Sequence, residues 1–283
     1  MKLASFTHAG RAGYGAVIDG AIVELSHRLA ASTLRLALAA HTLADLTEMA
    51  ARAPADFALT DVTLDVPLPD ALGYWCVGRN YRGHLAEANM KLPEFPSLFI
   101  RSPRSVVATG QPIIRPRLSG AFDFEGELAI IIGATGRHIH RQDALSHVAG
   151  YAIFMDGSIR DYQFKHSLTA GKNFASTGSC GPWIVTADEI GDPSQLLLRT
   201  RLNGREVQAT RTDDFIFDIP TIIAYVSAFT PLLPGDIIAT GTPEGVGFAR
   251  TPPLWMQPGD TLEVEISGIG ILRNQVIAEP EAQ

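Results

Sequence analysis

At 283 residues, with 46% hydrophobic and 19% charged side chains, the chain is long enough for one large core and a smaller appendage. Its net charge of −7 argues against nucleic acid, which is bound through a basic face, and no apolar run reaches the roughly 20 residues of a membrane span. No signal-peptide pattern opens the chain. Two lone cysteines, Cys76 and Cys180, fit a reducing cytoplasm better than a disulfide framework, and neither sits in a CxxC pair or an HExxH helix that would hold zinc.

The first elements are local ones. Residues 15–18 and 21–25 read as a hairpin turned at Asp19-Gly20. Residues 30–53 carry Leu34, Leu38, Leu43, Leu46 and Met49 at helical spacing. Pro54, Pro67 and Pro69 then punctuate a connector, so the chain is expected to divide into a small N-terminal α+β domain, 1–70, and a catalytic domain, 71–283. Beyond residue 70, short β-branched runs at 105–107, 111–114, 183–185, 236–239 and 262–266 are broken by Gly and Pro. One helix is expected near 219–229. This pattern predicts a β-rich α+β fold, since a doubly wound sheet would alternate strand and helix.

Along the second region the chemistry-bearing residues come in blocks. Residues 76–89 leave an apolar run, turn and enter a short helix, placing His84 and Glu87 at i and i+3, where a carboxylate can orient an imidazole as a general base. The same spacing also fits a surface pair of little energetic value. Next come Glu125 and Glu127, one residue apart at the head of the apolar run 128–132. In a strand, positions i and i+2 share a face, so two carboxylates are held side by side. Like charges so close need a cation or a shared proton, and a hard divalent ion such as Mg²⁺ or Mn²⁺ is the simplest partner. A solvated strand end would show the same spacing. Asp156 closes a second apolar run, 150–155, and two neighbouring strands would add it to the pair, leaving other metal positions open.

Directly after it, Arg160 and Gln163 share a face if 158–163 is helical, suiting a substrate carboxylate and a carbonyl. Lys172 follows a glycine without a phosphate-loop frame and suits a developing oxyanion, or solvent. The turn Thr240-Gly241-Thr242-Pro243 could present N–H groups and hydroxyls to an anion. Ser179-Cys180 lacks a GxSxG frame and a histidine partner, which argues against covalent catalysis.

Taken in order, these blocks resemble the fumarylacetoacetate hydrolase family. The match runs from Gly78-Arg79-Asn80-Tyr81 with His84 and Glu87, through Phe124-Glu125-Gly126-Glu127-Leu128 and Asp156 with 160–163, to Gly171-Lys172-Asn173-Phe174, Gly181-Pro182-Trp183 and 235–243, spanning about 71–275. The resemblance implies a mixed β-sandwich roll, a homodimer, and Mg²⁺ or Mn²⁺, sometimes Ca²⁺, on Glu125, Glu127 and Asp156. It implies a water-activating dyad at His84–Glu87 on a lid-like segment, a charge-stabilising Lys172, and substrate contacts at Arg160, Gln163 and the Thr240-Gly241-Thr242 turn. Arg101 stands where relatives frequently carry lysine, and Ala175 and Ser179-Cys180 also depart from the common pattern.

The activity expected on this basis is hydrolytic C–C cleavage of a small anionic β-diketo acid of the acylpyruvate type. The alternatives are decarboxylation or isomerisation of a 2-oxo acid (oxaloacetate or a 2-hydroxymuconate-type diacid) or hydration in aromatic catabolism. A non-catalytic metal-binding protein is the remaining reading.

Overall fold

The computed structural model describes residues 1–281. Its first three strands, Lys2–His8, Arg11–Ile18 and Ala21–Glu24, form an antiparallel meander. The expected turn is there: Asp19 (φ 48°) and Gly20 (φ 77°) both take left-handed backbone, as a tight two-residue hairpin requires. The helical stretch at 30–53 is two helices, Leu34–Ala40 and Leu43–Arg52. Thr42 breaks it by forming a capping box with Asp45: Asp45 N–H donates to the Thr42 hydroxyl at 3.2 Å, and Thr42 N–H donates to the Asp45 carboxylate at 3.0 Å. The leucine periodicity continues across the break, which is why the spacing alone does not reveal it.

The centre of the molecule is a 12-stranded sheet. Its two middle strands, Gly126–Ile132 and Val148–Met155, pair antiparallel and are buried at every position, so they show an unbroken apolar run in place of alternation. Ile237–Ala239 lies on the other side of Gly126–Ile132 and runs parallel to Tyr74–Gly78, with Ser97–Arg101 at the edge. On the opposite flank, Lys2–His8 pairs with Gly178–Thr186. Residues 1–70 thus contribute strands to the sheet that carries the site.

A five-stranded sheet, in the order Arg205–Arg211, Leu197–Leu202, Thr261–Ile266, Gly270–Ala278 and Ile113–Arg115, covers one face of it. Leu197–Leu202 and Thr261–Ile266 alternate buried and half-buried positions, the period-two signature of a sheet with one face inside. Leu198, Val264 and Leu272 share a core with Leu128, Ile130 and Ile153. The residues of opposite parity, Ala129, Ile131 and Ala152, pack with Leu34, Leu38 and Leu46 of the N-terminal helices. This is the β-rich α+β sandwich that the sequence predicts. The two layers meet closely at Gly126, where a Cβ would stand 2.3 Å from Thr200 Oγ1.

Candidate metal centre

The central strand pair builds the site. Gly126 is in register with Met155, and Asp156 N–H donates to the Glu125 carbonyl at 2.9 Å, so the residue after one strand lies beside the residue before the other. Glu125, Glu127 and Asp156 each offer a carboxylate oxygen within 4.8 Å of the others, and all three are buried. Two neighbouring strands thus bring Asp156 to the Glu125–Glu127 pair, as the sequence predicts.

Three cations lie buried around these acids. Lys172, at the end of the helix Leu168–Lys172, places its ammonium 2.5 Å from both Glu125 Oε2 and Asp156 Oδ2. Arg160 opens the helix Arg160–Lys165 and reaches Glu125 Oε1 at 2.5 Å and Asp123 Oδ2 at 2.7 Å. Arg101, fully buried at the sheet edge, donates to Asp156 Oδ1 at 2.6 Å and to the Gly157 carbonyl at 2.9 Å. Burial opposes ionisation of Glu125, but Arg160 and Lys172 outweigh it and hold its carboxyl down at about 2.

Glu127 differs. It accepts the Gly241 N–H at 2.8 Å, yet no lysine or arginine pairs with it among the described residues. Burial, reinforced by Asp156 and Glu125, pushes its carboxyl well above the ordinary range. The donor set is all carboxylate oxygen, two of its members already converge on one cation, and the third lacks one. A hard divalent cation fits that set: it prefers oxygen ligands and supplies the charge that Glu127 is missing.

His84 borders the same cavity. In the helix Arg82–Glu87, His84 Nδ1 is 2.9 Å from Glu87 Oε1, the i to i+3 contact expected from the spacing. Glu87 Oε2 accepts the Gly245 N–H at 2.8 Å. The turn after Ile237–Ala239 therefore ties the two halves together, its Gly241 N–H holding Glu127 and its Gly245 N–H holding Glu87. Within that turn the Thr240 hydroxyl is fully buried and donates to the Leu128 carbonyl at 2.9 Å, facing the sheet, while Gly241 is engaged with Glu127. Only Thr242 of the three borders the cavity.

A cavity of about 220 Å³ is bordered by the three acids, His84, Arg160, Gln163, Lys172 and Thr242, with Met90, Phe99, Phe164 and Phe248 as apolar wall. Gln163 Oε1 accepts from Arg160 at 3.0 Å, so the pair acts as one polar unit. Phe248 carries the Arg160 guanidinium 4.5 Å from its ring centroid.

Three supporting residues escape sequence reasoning. Asp123 orients Arg160 and also accepts the Gly247 and Phe248 N–H groups, at 2.7 and 3.1 Å. It shares the i, i+2 alternation with Glu125 and Glu127, a signal that was available. Arg101 looks like a plain lysine replacement until its burial is known. Gln208 accepts the Gly126 N–H at 3.0 Å and donates to Thr242 Oγ1 at 2.9 Å, coupling the ligand strand to the turn from a sheet distant in sequence. Nothing in the sequence marks it.

Comparisons with known proteins agree with this geometry. The profile described as "Fumarylacetoacetate (FAA) hydrolase C-terminal" matches residues 73–277. The chain is 40% identical over 204 residues to the rat mitochondrial oxaloacetate tautomerase Fahd2a, a match covering 71% of this chain and 65% of that curated relative's length. Among solved structures, a fumarylacetoacetate hydrolase from the psychrophile Exiguobacterium antarcticum superposes with a TM-score of 0.87 at 38% identity, covering 99% of this chain and 100% of that one. Maleylpyruvate hydrolase from Sphingobium sp. SYK-6, solved with manganese (II) ion and pyruvate, superposes with a TM-score of 0.83 at 28% identity, covering 99% and 100%. By the span of the profile match and the identity of these relatives, the chain belongs to the fumarylacetoacetate hydrolase family.

Proposed function

We propose that the protein is a Mg²⁺- or Mn²⁺-dependent enzyme that interconverts the keto and enol forms of a small 2-oxo diacid, with oxaloacetate as the simplest substrate. The observation that carries this reading is His84, hydrogen-bonded to Glu87, bordering the same cavity as the Glu125, Glu127 and Asp156 carboxylates. The name of the rat relative supports the substrate. The cavity is smaller than the about 300–1,000 Å³ of sites for drug-sized ligands, which suits a small acid.

A divalent cation on the three carboxylates would supply a Lewis acid for the 2-oxo carboxylate end and make the neighbouring C–H more acidic. The protein groups then move the proton. With Nδ1 engaged by Glu87, His84 has Nε2 left to take a proton from the carbon beside the 2-oxo group and to return it at the enolate oxygen. The reverse sequence restores the ketone. One C–H and one O–H bond exchange, and no water is consumed. Glu87 stabilises the transient imidazolium, and its own orientation is fixed by Gly245 N–H. Lys172 offsets charge developing on oxygen. Arg160 with Gln163, and Thr242 in place of the whole Thr240-Gly241-Thr242 turn, provide polar contacts to substrate.

Hydrolysis of an acylpyruvate, the activity first expected, is the second reading. It uses the same dyad to activate water, and the similarity to maleylpyruvate hydrolase favours it. Incubation in deuterated water separates the two by NMR. Deuterium entering C3 of oxaloacetate above the buffer rate, with acetylpyruvate left uncleaved, supports the tautomerase. Release of pyruvate and a second acid from acetylpyruvate would replace it with the hydrolase.

We further propose a homodimer. Leu72, Phe95, Ile100 and Phe229 are each at least half exposed around the edge strand Ser97–Arg101 and the helix Ile219–Phe229, an apolar patch that a second copy would cover. A monomeric mass in light scattering at micromolar concentration would refute it.

A further inference from the structure

We propose that Arg79 anchors the far carboxylate of a 2-oxo diacid and so sets a preference for diacids over monoacids. The inference rests on the 2-oxo acid reading above. A diacid brings two anionic ends into one cavity. Its 2-oxo end belongs with the metal-binding acids, and the far carboxylate, toward the open end of the cavity, is best held by a cation of its own.

The other cations bordering the cavity are already engaged. Lys172 is paired with Glu125 and Asp156, and Arg160 with Asp123 and Glu125. Arg79 borders the same cavity and, among the described residues, has no ion pair or hydrogen bond from its guanidinium. Its side chain is exposed at the mouth, where Met90, Phe99, Phe164 and Leu168 offer no charge. Arg79 also holds left-handed backbone, φ 61°, between the strand Tyr74–Gly78 and the helix Arg82–Glu87. Glycine or asparagine would take that conformation at lower cost than arginine. A guanidinium at the cavity mouth, planar and always charged, is suited to bidentate capture of a carboxylate.

The test compares oxaloacetate with 2-oxobutanoate, which shares the 2-oxo carboxylate end and lacks the far one. Deuterium exchange at C3 would be followed for both acids on the Mg²⁺-loaded full-length enzyme and on its Arg79→Gln, Arg79→Lys and Arg79→Gly variants. Arg79→Gln is expected to lower the diacid-to-monoacid ratio of kcat/KM about tenfold or more, chiefly through KM for oxaloacetate, the effect of losing one charged hydrogen-bonding partner. Arg79→Lys should recover part of the ratio. Arg79→Gly, which also relieves the backbone, should behave like Arg79→Gln. An Arg79→Gln or Arg79→Gly enzyme that keeps the wild-type ratio, or loses both substrates by the same factor, overturns the assignment. Wild-type enzyme that exchanges the hydrogens of neither acid refutes the 2-oxo acid reading itself, and the role of Arg79 with it.

Discussion

Glu127→Gln should make the metal-free protein more stable while abolishing its response to metal. Burial and the neighbouring Asp156 and Glu125 push the Glu127 carboxyl well above its ordinary value of 4.5. A group whose pKa is raised by folding costs nothing below its unfolded pKa, and the cost grows as pH climbs toward the folded value. At about 1.4 kcal/mol per pH unit, the cost at neutral pH is bounded near 3 kcal/mol. Glutamine carries no such cost and can still accept the Gly241 N–H. For 283 residues the unfolding entropy is about 0.6 kcal/mol per kelvin, so the variant should melt above metal-free wild type at pH 7, by up to about 5 °C. The gap should close toward pH 4.5. Metal at about 100 times its Kd should then raise wild type by about 2.7 kcal/mol and leave the variant unmoved. Calorimetric scans of both proteins at pH 5 and pH 7, with and without Mg²⁺, read these differences. A metal-free variant less stable than wild type at pH 7, or one that still gains stability from Mg²⁺, would refute the reasoning.

Three further outcomes follow from the same geometry. Arg101→Met should cost about 3–5 kcal/mol in urea unfolding, because it leaves the Asp156 carboxylate buried with one cation fewer, and Arg101→Lys should recover part of it; an unchanged urea midpoint in Arg101→Met would contradict this. Burial and the neighbouring acids favour the protonated form of Glu127, so isothermal titration of metal in buffers of different ionisation enthalpy should show proton release and an affinity that rises with pH; binding without proton release would count against the assigned ligand. Gly126→Ala should lose about 1–3 kcal/mol by overpacking, since its Cβ would meet Thr200 Oγ1 at 2.3 Å and Val264 at 3.0 Å, and thermal melts would show it.

The parts of the site legible in the sequence are those set by short-range periodicity. Period two puts Glu125 and Glu127 on one face, and the i to i+3 rule joins His84 to Glu87, whatever the rest of the chain does. The fold class follows from many short β-branched runs, and the helix Ile219–Phe229 from its apolar density. Contacts that cross between elements are another matter. Arg101 meets Asp156, and Gln208 meets Gly126, only because two sheets and an edge strand assemble around one strand end. The Thr240 hydroxyl faces away from the cavity because the strand before it ends in register with Leu128. The helix break at Thr42 was legible in principle, as Thr42 with Asp45 spells a capping box, but the leucine spacing conceals it.

The most direct test of the central claim is the rate of oxaloacetate enol-to-keto conversion in Mg²⁺-loaded wild type and His84→Asn, with Mg²⁺ affinity measured on the same samples. A fall of about 100-fold or more in kcat with Mg²⁺ affinity within about threefold is predicted, because His84 moves the proton and does not hold the metal. A variant that converts the enol as fast as wild type would contradict the account.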